Sequence, residues 1–400
     1  MHGIRLMLTA LLALMAARLP AADWPNFRGP NHDGISTETK LNKDWAAKPP
    51  KVLWQTPMSD DGYAGPAVAG GRIFILDHKG ADDVVRAIDV QSGSNAWTYS
   101  YPDNANANYG FARATPAVSQ GRVFTLSRLG VANCLGEKDG KPLWSTNIVT
   151  AFKGQMPQWN MSMSPFVDGD KVILCPGGPD AAVVALDAAT GRTLWQGGGN
   201  DKPGYSTPVA ATIGGTKQYL VFTGFALCGV DAQGGKLLWR LPWKTGYDVN
   251  AAAPIAIGDD VFITSGYGHG CALVGVAGGE ATAKWQNQEI QAHFNSPVLK
   301  DGYIYGIGDP GVLVCLDPKT GNTAWKQAGF EKGGLVAVGD ALIAMDGKDG
   351  NVVLAELTPK QYHELGRIRP LGGQSWTAPI VSDGKLFIRN KSTLACLSLE

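Results

Sequence analysis

The sequence lacks the cysteine patterns that mark metal-binding and redox proteins. No two of its six cysteines form a C-x-x-C pair, so neither a zinc site nor a redox motif is indicated, and no C-x-x-C-H sequence is present to attach a c-type haem. Cys134, Cys315 and Cys396 occupy a position that alanine takes in similar segments, which is typical of tight packing. We therefore interpret the cysteines as small core residues and leave their disulfide state open.

The sequence also lacks an excess of charge of either sign. Its 35 lysines and arginines balance 35 aspartates and glutamates. Nucleic-acid-binding proteins usually carry a basic excess, so a nucleic-acid partner is not expected. With 52 glycines and 24 prolines beside a hydrophobic fraction of 44%, the composition instead indicates many short strands joined by tight turns.

Long apolar runs are missing except at the N-terminus. Arg5 precedes an apolar run over residues 6–17, and small residues follow around Ala21 and Ala22. This pattern predicts a cleaved signal peptide over residues 1–22, because the run is too short for a membrane span. No cysteine follows the predicted cleavage site to carry a lipid. We expect a periplasmic or secreted protein without a membrane span.

What the sequence does contain is a repeat that ends in tryptophan. Val312 to Trp325, VLVCLDPKTGNTAW, reads as a strand, a turn and a strand, and similar segments end at other tryptophans. The separations are 40 to 51 residues, which suit a four-stranded propeller blade. Because a wide flat ring can fill the wedge between twisted sheets, we predict a blade-docking role for each of these side chains. They are Trp54, Trp97, Trp144, Trp195, Trp239, Trp285 and Trp325.

A second marker leads each unit and sets the number of blades. A small residue, a proline and an apolar strand recur, as in TPAVSQGRVFTL from Thr115, and the unit at Gly334 lacks only the proline. Eight such units predict an all-β, eight-bladed propeller over residues 52–400, after an N-terminal arm over 23–51. The last unit lacks a fourth strand, which Val52 to Trp54 would supply by closing the ring. Seven blades is the alternative.

These repeats resemble those of the pyrroloquinoline quinone (PQQ) repeat β-propellers. The segments that carry the resemblance are LDAATGRTLW, Leu186 to Trp195, and LDPKTGNTAW, Leu316 to Trp325, and the opening DWPNFRGPNHDGIS is also similar. The eight-bladed count resembles the outer-membrane assembly factor B, and the superfamily also includes quinoprotein dehydrogenases. The resemblance implies the fold more strongly than it implies an activity.

The dehydrogenase relatives provide a test for catalysis. In those enzymes PQQ and calcium lie on the propeller axis, and an adjacent Cys-Cys pair commonly contacts the quinone, whereas no two cysteines are neighbours here. Asp309 and Asp346 are the alternative carboxylates for calcium or for a general base, although Asp-Pro and Asp-Gly turns explain both without a metal. We predict no metal site, no firm cofactor and, more weakly, PQQ with calcium.

Polar and aromatic residues concentrate in the loops of one propeller face. In an antiparallel meander, the loops from strand D to the next strand A and from B to C emerge together. We predict that twelve of their residues rim a funnel over the axis that could hold a small ligand or a peptide; plugging the channel is the alternative role. The residues are Tyr63, Tyr109, Arg113, Trp159, Asn160, Tyr247, Asn250, His269, His293, Asn295, Trp376 and Arg389.

Three functions remain open from the sequence. The main hypothesis is an exported, non-catalytic scaffold, expected to be a monomer, that binds a protein partner or small ligand in the cell envelope through the funnel face or exposed blade edges. The second is a PQQ-dependent oxidoreductase that acts on an alcohol or sugar. A polysaccharide binder or lyase is weaker still, because no paired carboxylates stand out.

Overall fold

The computed structural model describes residues 23–400 and shows eight four-stranded antiparallel sheets arranged as the blades of a β-propeller. The predicted signal peptide, residues 1–22, lies outside the described residues. The eight-bladed prediction is therefore confirmed, and the seven-bladed alternative is wrong. Among the described residues, no helix combines the length and apolar character that a membrane span requires.

The first two strands belong to blades that the chain completes only near its C-terminus, and four blades then follow in sequence order. These first strands are β1 (Ile35–Ser36) and β2 (Lys51–Pro57). Blade 1 contains β3 (Ala67–Ala69), β4 (Arg72–Lys79), β5 (Asp82–Asp89) and β6 (Asn95–Pro102). Blade 2 contains β7 (Ala117–Ser119), β8 (Arg122–Leu126), β9 (Val131–Gly136) and β10 (Pro142–Asn147). Blade 3 contains β11 (Phe166–Asp168), β12 (Lys171–Leu174), β13 (Val183–Asp187) and β14 (Thr193–Gly197). Blade 4 contains β15 (Val209–Ile213), β16 (Thr216–Phe222), β17 (Ala226–Asp231) and β18 (Leu237–Pro242).

The remaining blades follow the same order, and two short helices lie in the loops between blades. Blade 5 contains β19 (Ile255–Ile257), β20 (Asp260–Ser265), β21 (Gly270–Ala277) and β22 (Glu280–Asn287). Blade 6 contains β23 (Val298–Lys300), β24 (Tyr303–Gly308), β25 (Val312–Leu316) and β26 (Thr323–Ala328). Blade 7 contains β27 (Leu335–Val338), β28 (Ala341–Met345), β29 (Val352–Glu356) and β30 (Glu364–Ile368). Blade 8 contains β31 (Ile380–Ser382), β32 (Lys385–Arg389) and β33 (Thr393–Ser398). The helices are α1 (Ile148–Ala151) and a 3₁₀ turn (Gly246–Asp248).

Blade 8 is completed by the N-terminal strand, as the sequence predicts. Strand β2 pairs antiparallel with β33, with Lys51 opposite Ser398 and Pro57 opposite Thr393. The chain's two ends therefore share one sheet, and closure removes the free edge that an open ring would expose. Strand β1 was not anticipated; it pairs parallel with β27 and gives blade 7 a fifth strand on its inner edge.

A β-bulge lies beside the outermost strand of each blade, and in seven of the eight blades it orients the repeat tryptophan; Gly366 takes that position in blade 7. In blade 2 the register shifts between Pro142 and Trp144, and in blade 8 between Val52 and Trp54. The skipped residue turns outward, which leaves Leu143 53% exposed. The following tryptophan faces the neighbouring blade instead, since a bulge shifts the alternation of side chains by one residue.

Most of the repeat tryptophans contact the next blade through the turn that joins its two outer strands. Five indole N–H groups donate to a carbonyl there, at 2.8 to 3.1 Å: those of Trp54, Trp97, Trp144, Trp285 and Trp325. The other two repeat tryptophans behave differently. Trp239 donates to Gln218 of its own blade, and the Trp195 indole N–H has no hydrogen-bond partner among the described residues.

The small residue before the leading proline links several neighbouring blades at the inner end. The Thr115 N–H donates to the Ser164 hydroxyl, and the Ser164 N–H donates to the Thr207 hydroxyl, both at 2.9 Å. The Ala253 N–H donates likewise to the Ser296 hydroxyl. These contacts explain why serine and threonine recur at this position of the marker. Tryptophans thus join the blades on the outside, and hydroxyls join them beside the axis.

Candidate functional site

The N-terminal arm closes one end of the axial channel. Trp24 exchanges two backbone hydrogen bonds with Val68 of blade 1, and the Pro25 carbonyl accepts from Val118 of blade 2. Farther along the arm, the Glu38 carboxylate accepts from the Gly384 N–H of blade 8. These contacts lie on the innermost strands or in the turns that follow them. The arm therefore forms a floor at the face opposite the predicted funnel.

Arg28 and His32 anchor this floor. The Arg28 guanidinium donates to the carbonyls of His32, Asp33 and Pro297, so it ties the arm to blade 6. The His32 ring lies 4.6 Å from the Phe166 ring of blade 3, centroid to centroid. Burial lowers the pKa of Arg28 to about 10 and that of His32 to about 4. At neutral pH the arginine is charged and the histidine is neutral.

We expect protonation of His32 to destabilise the protein as the pH falls. The pKa of His32 is lower in the folded state than the unfolded value of about 6.5. The contribution of neutral His32 to the free energy of unfolding is therefore fully present above pH 6.5 and is lost as the pH falls towards 4. His32→Asn keeps a residue that tolerates the local φ of 57° and should flatten this part of the melting-temperature profile. His363→Asn, at an exposed histidine paired with Glu356, is the control and should retain the slope. Equal slopes in the wild type and His32→Asn would contradict the assignment.

The opposite end of the channel is surrounded by an aromatic collar. Adjacent ring centroids are 4.5 to 6.2 Å apart, in stacked, tilted and edge-on pairs. In order of contact, the collar rings belong to Tyr205, Trp159, Tyr247, Tyr267, His293, Phe294, Trp376 and Tyr63.

Arg113 lies between the two ends of this series. Its guanidinium donates to the carbonyls of Trp159 and Asn108 and lies within electrostatic range of Tyr205 and Tyr63. Burial lowers its pKa to about 10, which leaves it charged at neutral pH. The collar is thus completed by a cation.

Between the floor and the collar lies a cavity of about 360 Å³. Three basic side chains line it: Arg28 from the floor, Arg113 from the collar and Lys332 from the loop before blade 7. Among residues 23–400, no aspartate or glutamate lines the cavity. Aromatic walls suit a flat or apolar group, and partly desolvated cations suit a negative charge. The cavity therefore fits a ligand or peptide side chain that combines the two.

Three tyrosines at the mouth are exposed and conformationally strained. Tyr109, Tyr247 and Tyr267 are 68%, 60% and 46% exposed, and their φ angles are 56°, 60° and 57°. A left-handed backbone costs a bulky residue about 1–3 kcal/mol, and such residues cluster at functional sites. Large aromatic side chains held towards solvent at this cost support a binding role for the mouth.

The structure brings seven of the twelve predicted funnel residues to the cavity wall: Tyr63, Tyr109, Arg113, Trp159, His293, Asn295 and Trp376. Tyr247 lies outside the wall but belongs to the collar through Trp159 and Tyr267. Asn160 is half-buried next to Trp159 and does not line the cavity.

Three other predicted residues have structural contacts away from the cavity. Asn250 is fully buried, and its amide donates to the carbonyls of Thr223 and Trp243. Arg389 is 1% exposed and donates to the carbonyls of Ala64, Asn390 and Lys391. His269 packs edge-on against Trp243 at 4.4 Å. A polar residue in these loops can satisfy backbone carbonyls as well as face the axis, and the loop sequences do not distinguish these roles.

The two alternative carboxylates also lie away from the cavity wall. Asp346 accepts hydrogen bonds from the N–H groups of Glu331, Lys348 and Asp349, so it organises a turn. Asp309 Oδ2 lies 3.8 Å from His293 Nδ1, beside the collar. That distance is too long for a hydrogen bond, and the His293 nitrogen has no hydrogen-bond partner among the described residues.

Sequence reasoning missed several residues of the cavity. Tyr267 and Phe294 lie in the same loops as the predicted His269 and His293. Lys332 belongs to the one unit without a leading proline. Trp24, Phe27 and Arg28 come from the arm, whose position no repeat pattern could indicate.

The donor set of this cavity does not fit a calcium-bound quinone. Ca²⁺ requires several convergent oxygens, including carboxylates, and the described wall offers cations instead. The aromatic walls and cations alone would suit a flat polyanion such as PQQ. The calcium part of the dehydrogenase arrangement is therefore not supported by these residues.

A family model described as outer membrane protein assembly factor BamB matches residues 43–113 and 106–327. The chain belongs to this family. The match covers most of the propeller, including blades 1 to 6 and most of the collar. The predicted resemblance to PQQ-repeat propellers is confirmed.

Curated relatives include both assembly factors and a dehydrogenase. The chain is 24% identical over 338 residues to an outer membrane protein assembly factor BamB of Salmonella typhimurium. This match covers 77% of this chain and 80% of that protein. It is 26% identical over 220 residues to a quinoprotein ethanol dehydrogenase of Pseudomonas aeruginosa, but this match covers only 52% of this chain and 34% of the enzyme.

Solved structures show the same fold in both groups. BamB from Moraxella catarrhalis has a TM-score of 0.64 at 16% identity, over 87% of this chain and 99% of that one. A quinohemoprotein alcohol dehydrogenase from Comamonas testosteroni has a TM-score of 0.70 at 14% identity, over 94% of this chain and 80% of that one. At such low identity the likeness concerns the fold alone.

Proposed function

We propose that this protein is an exported, non-catalytic β-propeller that acts as a binding scaffold in the cell envelope. The observation that carries the proposal is the aromatic collar with its strained, exposed tyrosines above a cation-lined cavity. The relatives described as outer membrane protein assembly factors support a partner among envelope proteins. The predicted signal peptide supports a periplasmic or secreted location.

The chemistry of the collar indicates the kind of segment it would bind. Rings that meet in edge-on, tilted and stacked contacts offer both faces and edges to an apolar side chain. Arg113 and Lys332 offer charge to a carboxylate. A partner segment that combines acidic and aromatic or aliphatic side chains therefore fits the funnel, with recognition through side-chain pockets.

We expect a photo-reactive residue at Tyr267 to cross-link to an envelope protein in living cells. The double substitution Arg113→Gln and Trp159→Ala should reduce the yield several-fold, because it removes both the cation and a collar ring. A photo-reactive residue at Leu143, on the outer edge of blade 2, tests the blade edges instead. Cross-linking at Leu143 with none at Tyr267 would move the interface to the edges and overturn the funnel proposal.

A quinoprotein oxidoreductase is the second candidate, favoured only by the fit of a flat polyanion to the cavity. Titration of the purified protein with PQQ, with and without Ca²⁺, separates the two functions by absorbance and melting temperature. A saturable one-to-one shift that requires Ca²⁺ would favour the enzyme. The scaffold proposal predicts no calcium-dependent shift at PQQ concentrations well above micromolar.

A further inference from the structure

A buried cluster of metal-ligand side chains lies beside the collar, between blades 1 and 2. His78, Asp83 and Asp103 each place one candidate ligand atom within 4.8 Å of the others, and all three residues are buried. His78 and Asp83 face each other across the β4–β5 hairpin, and Asp103 follows β6. The cluster lies outside the axial cavity and outside the contacts proposed for a partner.

Both ring nitrogens of His78 face oxygen acceptors, but only the contact at Nδ1 is short. Its Nδ1 lies 2.8 Å from an oxygen of Asp60, which also accepts from the Gly80 N–H and so acts as an acceptor. The other nitrogen, Nε2, lies 3.4 Å from the Asp103 carbonyl oxygen. Metal binding requires the neutral ring in which Nδ1 donates to Asp60 and Nε2 exchanges its long contact with the carbonyl for a bond to the ion, the usual arrangement behind a metal-bound histidine.

Asp83 is the second and independent indication of a ligand. It is 0% exposed, its Oδ1 has no hydrogen-bond partner in the described chain, and its Oδ2 has a 3.3 Å contact with the Tyr101 hydroxyl. The two other buried carboxylates nearby are each bonded to a guanidinium, Asp77 to Arg86 and Asp103 to Arg128. A buried oxygen with no partner is costly, and a bound cation would remove that cost.

We propose that His78, Asp83 and Asp103 bind a first-row divalent metal ion such as Zn²⁺ or Mn²⁺. One imidazole nitrogen and two carboxylates form a mixed nitrogen and oxygen set, which suits these ions better than Ca²⁺ or Mg²⁺. Asp60 contacts the other nitrogen of the imidazole, and Arg128 donates to both carboxylate oxygens of Asp103, of which Oδ2 keeps a further lone pair for another partner.

The proposed metal would also fasten part of the funnel mouth. The Phe111 ring stacks on the His78 ring with centroids 3.7 Å apart, and the Arg128 guanidinium lies 4.7 Å from the same phenyl centroid. Phe111 follows Tyr109 and precedes Arg113, two residues of the cavity wall. A metal that fixes His78 and Asp103 therefore fixes both anchors of the segment that carries them.

We test the site with tag-free protein, prepared by unfolding and refolding in chelator and then equilibrated with Zn²⁺ or Mn²⁺. The background substitution His363→Gln removes an exposed histidine–glutamate pair that could bind Zn²⁺ adventitiously. Calorimetry should show one saturable site per chain, a rise in melting temperature, and at least tenfold weaker binding in Asp83→Asn and in His78→Gln. Asp201→Asn, which alters another arginine-paired aspartate, should bind as the background does.

The rate of proteolysis at the funnel mouth provides a second measurement, which does not require a metal affinity. Chymotrypsin should cleave after the exposed Tyr109 more slowly in the metal-loaded protein, and Asp83→Asn should abolish this protection. Absence of saturable binding in the folded background, or equal affinity in Asp83→Asn, would overturn the metal site and show that a proton or solvent fills the cluster. Binding that His363→Gln removes would show an adventitious surface ion only.

Discussion

In the metal-free protein, replacing Arg128 by methionine is expected to lower the free energy of unfolding by about 3–5 kcal/mol, the usual cost of leaving one buried charge unpaired. The Arg128 and Asp103 side chains are 0% and 1% exposed, and the guanidinium contacts both carboxylate oxygens. Its other N–H groups donate to the carbonyls of Ala105 and Asn106. The substitution therefore leaves Asp103 charged in a site that water cannot reach.

A matched pair elsewhere in the ring provides the control. Arg240 and Asp201 also share two hydrogen bonds, but these side chains are 36% and 16% exposed. Arg240→Met should cost about 1 kcal/mol or less, because water solvates the remaining carboxylate. Chemical denaturation of both variants gives the comparison, and equal losses would show that burial is not the cause.

A double substitution tests the mechanism directly. Adding Asp103→Asn to Arg128→Met removes the stranded charge while the side-chain oxygen still accepts from the Ala105 N–H. Much of the lost stability should return, since the penalty belongs to the unpaired ion and not to the absent contact. No recovery would instead assign the loss to the packing of Arg128 on Phe111.

The propeller was predictable because its determinants are local and repeated. Five of the seven repeat tryptophans follow a turn that the sequence marks with aspartate and glycine, and several leading prolines follow a small residue that bonds to the next blade. Closure was predictable for the same reason, since Val52 to Trp54 is a recognisable outer strand without an inner partner. Because the pattern recurs in eight units, the fold remains predictable even though one unit, blade 7, is irregular.

The site was predictable only in part, because its contacts are not periodic. Loop sequence indicated Tyr63, Trp159 and Trp376, but it could not distinguish them from Asn250 and Arg389, whose polar groups turn inward to satisfy backbone carbonyls. Whether such a side chain faces the axis or turns inward depends on which backbone carbonyls lack a partner once the blades have assembled. The loop sequence does not contain that information.

The metal-ligand cluster illustrates the same limit. His78 and Asp83 lie in a segment that reads from sequence as a loop, but the structure extends the hairpin so that both lie in strands. Their side chains then point towards Asp103, which follows the next strand. No spacing rule within one element connects these three residues, so the sequence contains no pattern that would place them together.

The packing of tryptophan on the neighbouring turn gives the second large prediction. Gly235 has a φ of 75°, and a Cβ atom at this position would lie 2.4 Å from a ring carbon of Trp195. Gly235→Ala therefore adds backbone strain and a collision with a rigid ring, and it should cost about 2–5 kcal/mol. Chemical denaturation measures the loss.

Gly214 separates the two contributions to this loss. Its φ is 57°, but a Cβ atom there would have nothing within 4 Å, so Gly214→Ala should cost only the backbone term of about 1–2 kcal/mol. The remainder in Gly235→Ala should depend on the ring: in a Trp195→Phe background, Gly235→Ala should be less costly, which a double-mutant cycle would report as coupling. Additive losses of stability would mean that the packing of the Trp195 indole on Gly235 does not stabilise the contact between blades 3 and 4. Coupling would show that the flat ring and the residue without a side chain act together, which is the physical reason why tryptophan and glycine recur together in this sequence.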